Sequence, residues 1–304
     1  MSSKEFENLY EKLKNNPLPL NEGLEKLRES YKNMIDKVPL TYGSKFKKVD
    51  INGVSAEWVT APAEWLSMSE NFSNPVIMYL HGGGYIINDL EIYHYMAAKL
   101  SAVVGVPVLL ADYKISPENK FPAALNDSIK IYKWLLDQGY KAEDIIIMGD
   151  DAGGGLTLST LLKIRSLGLK KPSLAICISP LTDLAQTGQS IQKNSETDPI
   201  MSYEFIKFCA DCYVGEEGDR CDPFASPFYA DLSGLPPMLI MVGSKEILLD
   251  DSVRFARKAE FFGVDAKLII AQDMLHSWTV FAGMIPEGQQ AIQYIGDFIH
   301  KNNF

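Results

Sequence analysis

The sequence predicts an α/β fold built on a mostly parallel sheet. Short apolar runs recur from residue 75 onward, at 75–80, 107–111, 145–148, 174–178, 238–242 and 266–270. Longer amphipathic stretches separate them, as at 122–138, 153–167 and 250–262. The runs are apolar on both faces, as strands are when helices cover a sheet on both sides.

The remaining segments take their places around that sheet. Residues 1–38 are rich in Lys, Glu and Leu at helical spacing, and Asn21 is positioned to cap a helix beginning near residue 22. Residues 46–60 alternate apolar and polar side chains (Val49, Ile51, Val54, Ala56, Trp58), which predicts antiparallel strands. Residues 183–235 hold helical pieces and Pro-rich turns but no core strand. Residues 1–45 therefore read as an N-terminal helical cap segment. Residues 46–304 read as the main domain, with a cap insertion around 183–225. Such a cap would lie over the carboxyl edge of the sheet, where open α/β sheets bind their ligands.

Composition narrows the function. The chain has 304 residues and a formal net charge of −10. That balance argues against nucleic acid, which needs a clustered basic surface, and against anionic membranes. No apolar run approaches the roughly 18–20 residues that span a bilayer. The start, MSSKEFENLYEK, lacks a basic-then-apolar leader pattern, so the expected address is the cytoplasm. Cys209, Cys212 and Cys221 include a CxxC, but no fourth ligand lies at zinc spacing, so they are expected to pack and no metal is expected.

Three motifs carry chemistry. His81-Gly82-Gly83-Gly84 follows the run at 76–80, and glycines there let backbone N–H groups approach a ligand closely. Gly149-Asp150-Asp151-Ala152-Gly153 lies between an apolar run and a helix, the strand–turn–helix setting of a nucleophile elbow. Position 151, where a nucleophilic Ser is expected, is Asp. His276 falls in a turn after the last run, where a triad base belongs, and Glu246 is the first acidic group after the preceding run.

Together with Asp112-Tyr113-Lys114-Ile115-Ser116-Pro117-Glu118, Phe121-Pro122-Ala123-Ala124 and the segment Ser226 to Pro237, these motifs resemble the bacterial hormone-sensitive-lipase family of carboxylesterases, within the α/β-hydrolase fold. The resemblance covers residues 75–280. It implies Glu246 as the acid, His276 as the base, and Gly82, Gly83 and the Ala152 N–H as oxyanion donors. It also implies a small ester substrate and no cofactor. Tyr85 and Ile86, with Ile87, would crowd the substrate pocket and select short acyl chains. A homodimer would form through 266–270 and the helix near 286–300, since an unblocked edge strand invites pairing.

The departure at position 151 alters the chemistry. A carboxylate attacking an ester carbonyl would expel an alkoxide far more basic than itself, so the adduct would collapse backwards. A buried Asp151 beside His276 would also favour imidazolium and remove the base. Ester hydrolysis is therefore expected to be impaired, whether the Asp is a natural loss or a deliberate substitution. Two alternatives stay open. One is an Asp nucleophile attacking saturated carbon, as in epoxide- or halide-directed hydrolases. The other is a catalytically silent protein that binds small ligands.

Overall fold

The computed structural model describes residues 2–34, 43–61 and 75–302. Part of the expected cap segment, residues 35–42, lies outside them. The described strands form one eight-stranded sheet in the order β1-β2-β4-β3-β5-β6-β7-β8. Two antiparallel strands, β1 (Lys45–Ile51) and β2 (Val54–Thr60), form one edge, and β2 pairs antiparallel with β4 (Val108–Asp112). The other strands run parallel: β3 (Val76–Leu80), β5 (Ile145–Asp150), β6 (Leu174–Ile178), β7 (Met238–Gly243) and β8 (Ala266–Ala271). This is the α/β-hydrolase architecture.

The strands form where the sequence runs are. β3, β5, β6 and β7 are buried at every position, which is why they are apolar without alternation. β1 and β2 alternate because one face is wetter, and their connection is Asn52-Gly53 with φ of 53° and 81°. Positive φ at both turn residues suits the twist of a two-residue hairpin.

Helices cover both faces. α4 (Ala123–Asp137), α5 (Asp151–Ser166) and α8 (Leu249–Phe261) pack on one face, around Leu125, Ile131, Leu158 and Phe255. On the other face α3 (Leu90–Val104) packs against α9 (Pro286–Lys301) through Met96, Leu100, Ile292 and Ile295. No described helix is long and apolar enough to cross a membrane.

The N-terminal segment forms α1 (Lys4–Asn15) and α2 (Leu24–Met34). Ser3 caps α1 by accepting from the Phe6 N–H. Asn21 does not cap α2. It sits inside a separate 3-10 turn, and Gly23, with φ of 91°, breaks the chain before α2 begins. The insertion carries α6 (Ser190–Lys193) and α7 (Tyr203–Val214). α1 reaches it through the Tyr10 hydroxyl, which donates to the Thr197 carbonyl at 3.0 Å. α2 instead ties onto the loop after β3. Arg28 donates through Nε to the Ile86 carbonyl at 2.7 Å and pairs with Glu118 at 2.7 Å.

β5 enters α5 without an intervening loop, so strand end and helix start must pass very close to β3. Gly149 and Gly153 permit this. A Cβ on Gly153 would sit 2.0 Å from the Leu80 carbonyl oxygen, and one on Gly149 would sit 2.3 Å from the Gly153 carbonyl oxygen. Both obstacles are backbone and cannot swing aside. Replacing Gly153 by Ala should therefore destabilise the fold by at least the ~1–3 kcal/mol typical of overpacking. A denaturant melt with an unchanged midpoint would refute this account of the elbow.

Candidate active site

All the candidate groups meet at the carboxyl ends of neighbouring parallel strands. The His81–Gly84 loop follows β3, Asp151 follows β5, Glu246 follows β7 and His276 follows β8. Parallel pairing fixes this convergence, because it turns every strand's C-terminal end to the same edge.

Asp151 adopts φ of 49°, in the left-handed region that an Asp enters only under constraint. The sharp turn lifts its side chain off the helix and into the glycine loop. There Oδ2 accepts two backbone hydrogen bonds, from Gly83 N–H at 2.9 Å and Gly84 N–H at 2.8 Å. The carboxylate oxygen itself occupies the position prepared for an oxyanion. Oδ1 is buried and, among the described residues, accepts no hydrogen bond.

Gly82 is placed differently from its neighbours. Its N–H donates to the Tyr93 hydroxyl at 2.9 Å and to Asp150 Oδ1 at 3.1 Å, away from Asp151. The pair aimed at the site is thus Gly83 and Gly84, where the sequence pointed to Gly82 and Gly83. Ala152 is buried in the first turn of α5, where N–H groups lack intrahelical partners.

His276 lies between two carboxylates. Nδ1 is 2.8 Å from Glu246 Oε2, and Nε2 is 3.7 Å from Asp151 Oδ1. Burial alone would lower the imidazole's pKa. The hydrogen bond and charge of Glu246, with the charges of Asp151 and Asp198, outweigh it and raise the value to about 9. Both flanking carboxylates thus favour the imidazolium form of His276.

Residues that the motifs did not identify hold this assembly. Ser179, at the end of β6, donates to Glu246 Oε1 at 2.7 Å and accepts from the Ser277 N–H at 3.0 Å. It thereby joins the acid to the loop that carries the base. Ser179 and Ser277 have φ of 46° and 48°, so strained backbone clusters here. Asp198 accepts from the Ile247 N–H at 2.9 Å and fixes the residue beside Glu246. The Ser277 hydroxyl is 3.3 Å from His276 Nε2. A polar residue at a strand's carboxyl end was the available signal for Ser179, but many such residues have no role.

Asp150 forms a second buried acid beneath the glycine loop. Tyr79 donates to it at 2.8 Å and Tyr93 at 3.2 Å. Burial, then the neighbouring Asp151 charge, pushes Asp150 up to about 7. Tyr85 and Ile86 are buried, with the Tyr85 ring stacked on Tyr213 of α7 at 3.7 Å. Cys209 of α7 packs directly on Gly84, since a Cβ there would meet Sγ at 2.4 Å.

The chain is similar to known hydrolases in both sequence and fold. A family model for the alpha/beta hydrolase fold matches residues 77–280. An esterase of Acinetobacter venetianus is 33% identical over 84% of this chain and 81% of its own length. An acetyl-hydrolase of Streptomyces hygroscopicus is 34% identical over 78% of this chain and 79% of its own. Among solved structures, an esterase from the bacterial hormone-sensitive lipase family superposes with a TM-score of 0.93 at 36% identity, covering 99% of both chains. The esterase EstE5, soaked with p-nitrophenyl butyrate, superposes at 0.91 with 37% identity and the same coverage.

The chain belongs to the α/β-hydrolase fold family. Within it, the protein is a hydrolase of the hormone-sensitive-lipase esterase type.

The buried charges set a pH dependence. His276 at about 9, Asp150 at about 7, Asp198 at about 6 and Asp251 at about 7 all bind protons more tightly folded than unfolded. Burial is the first cause for the three acids. Their stabilisation is present at low pH and is lost as pH rises through these values. The melting temperature should fall between pH 5 and about 9.5, and NMR titration of His276 should show a midpoint well above the ordinary ~6.5. Asp151→Asn should move that midpoint down; a midpoint near or below the ordinary value in the native chain would contradict the arrangement.

Proposed function

We propose that the protein carries the machinery of a short-chain carboxylesterase whose elbow carboxylate holds the oxyanion position shut. The observation that carries this reading is the pair of hydrogen bonds from Gly83 and Gly84 to Asp151 Oδ2. In the serine form of such a site, His276 Nε2 would take the hydroxyl proton and the freed oxygen would attack the acyl carbon. The carbonyl oxygen would then develop charge at Gly83 and Gly84, with the Ala152 N–H adjacent. Glu246 would orient the imidazole through Nδ1.

Asp151 blocks both requirements. A substrate carbonyl must displace a carboxylate oxygen that already holds two N–H donors, and charge-assisted bonds are stronger than those to a neutral carbonyl. His276 already carries the proton that a base must accept. Ester hydrolysis is therefore suppressed in this chain while the rest of the apparatus stays assembled. The cap over the site comprises α1, α2 and the insertion around 183–225. Tyr85 and Ile86, both buried just after the glycine loop, limit the acyl group to a few carbons.

The expected quaternary state is a homodimer through β8 and α9. β8 forms the end of the sheet, and Ile270 on it is 47% exposed. Light scattering at micromolar concentration should give twice the chain mass of 33.9 kDa. A mass equal to one chain would remove this part of the reading.

The decisive test is Asp151→Ser. The smaller side chain fits, frees Gly83 and Gly84, and removes a charge that holds the proton on His276. Hydrolysis of p-nitrophenyl acetate or butyrate should rise at least ~10³-fold, a conservative share of what a triad nucleophile contributes. The butyrate should outpace long-chain esters, and adding His276→Ala should abolish the gain. A folded Asp151→Ser protein that ignores a panel of short esters would leave a ligand-binding role in place of a suppressed esterase.

A further inference from the structure

Taking Glu246 and His276 as the acid and base of this site, we propose that Asn194 of the insertion is a positioning residue. It holds Glu246 against His276 by pinning the backbone of the loop that carries the acid.

Glu246 stands on a short loop, residues 244–248, between β7 and α8. A loop leaving a sheet edge gives its carbonyl groups few strand or helix partners, so buried ones need donors from elsewhere. Here the donors come from one segment of the insertion. Asn194 Nδ2 donates to the Ser244 carbonyl at 3.2 Å and to the Glu246 carbonyl at 2.8 Å. Thr197 Oγ1 donates to the Lys245 carbonyl at 3.0 Å, and Ser190 Oγ to the Ile247 carbonyl at 2.6 Å. Every carbonyl from residue 244 to residue 247 is thus taken by a side chain of the insertion. The same segment supplies Asp198, which accepts from the Ile247 N–H. Ser190 Oγ also accepts from the Asp250 N–H at 2.9 Å, which ties the start of α8 to α6.

Asn194 has the central place in this seam. Its single amide group bridges the carbonyls on either side of Lys245, and so fixes the bend of the loop at the acid itself. It is half-buried between the exposed residues Lys193 and Ser195. The chemistry requires an amide there, since a carboxylate has no proton to give and an aliphatic side chain would leave two carbonyls without this donor.

The carboxylate depends on that backbone. Glu246 is fully buried. Its Oε1 accepts from the Ser179 hydroxyl at 2.7 Å and the Gly243 N–H at 2.5 Å, and its Oε2 meets His276 Nδ1 at 2.8 Å. A loop shift of about one ångström would take the last contact beyond hydrogen-bond reach. α1 bears on the same seam. The Tyr10 hydroxyl donates to the Thr197 carbonyl, and the Lys245 ammonium lies 5.6 Å from the centre of the Tyr10 ring. Both parts of the cap therefore converge on the acid loop. Release of the insertion from residues 244–247 would loosen Glu246, and the imidazole would lose the partner that orients it.

The test is NMR titration of His276, assigned among the four histidines by the signal lost in His276→Gln. Asp150, Asp151 and Asp198 also bear on the ring and are retained in every titrated variant, so a change reports Glu246. Asn194→Ala should lower the midpoint by at least about one unit, the lower end of what an adjacent opposite charge contributes. The low-field proton signal of the Nδ1 hydrogen bond should weaken with it. Thr197→Val, close in shape but lacking one donor, should move the midpoint the same way by less. Ser195→Ala, whose hydroxyl donates to the Gln192 carbonyl within the segment, should leave it unchanged. An unmoved midpoint in folded Asn194→Ala overturns the proposal, as does an unmoved one in Thr197→Val if the alanine variant fails to fold. An equal fall in Ser195→Ala overturns it too, because the segment would then act by general loosening. In the Asp151→Ser background, Asn194→Ala should cut kcat for p-nitrophenyl butyrate at least ~10-fold with KM unchanged, a fraction of what a general base contributes. An inert Asp151→Ser protein defeats the esterase reading, and the titration then decides this proposal by itself.

Discussion

A single carboxylate organises this site. Asp151 Oδ2 sits between the N–H groups of Gly83 and Gly84, and Oδ1 faces His276. In water a carboxylate beside a backbone amide is unremarkable. Buried against a glycine loop, it is held by two N–H donors with the His276 imidazole nearby. The neighbouring groups adjust to it. His276 holds its proton to about 9, and Asp150, one residue earlier, is pushed up to about 7 by burial and by the Asp151 charge.

That arrangement depends on close backbone approaches. Gly153 passes the end of β3, and Gly243 passes the base loop, where a Cβ would meet the Met274 carbonyl oxygen at 2.3 Å. Strained residues then point the functional groups inward, with Asp151, Ser179 and Ser277 all at positive φ. Such strain persists only where the surrounding packing over-determines it, here a sheet whose central strands are fully buried. Glu246 and His276 are held by the ends of β7 and β8, apart from the elbow that carries Asp151.

The relation to the esterases of the family is therefore one of shared scaffold. The same strand ends and glycine loop are present, while the elbow carries a carboxylate that occupies the loop's N–H donors. A serine at the elbow would need a free imidazole to take its proton and free donors in the glycine loop, whereas here two carboxylates flank His276 and Gly83 and Gly84 already donate to Asp151.

The sequence by itself determined the parallel sheet, the order of its strands along the chain and the identities of Asp151, Glu246 and His276. Buried strands must be apolar on both faces, and turn chemistry at strand ends is local, so both leave marks in a linear string. Asn21 shows the limit of such local signals, because Gly23 separates it from the helix it was positioned to cap. Only the tertiary structure decided which amides face the site. Gly82 and Gly84 are equivalent in sequence, but Asp150 and Tyr93 draw the first away while the second turns toward Asp151. Ser179 likewise gains its place only when β6 lies beside β7, since its partners Glu246 and Ser277 are remote in the chain. Hydrogen-bond partners across a sheet are set by which strands become neighbours, and that is a property of the folded chain alone.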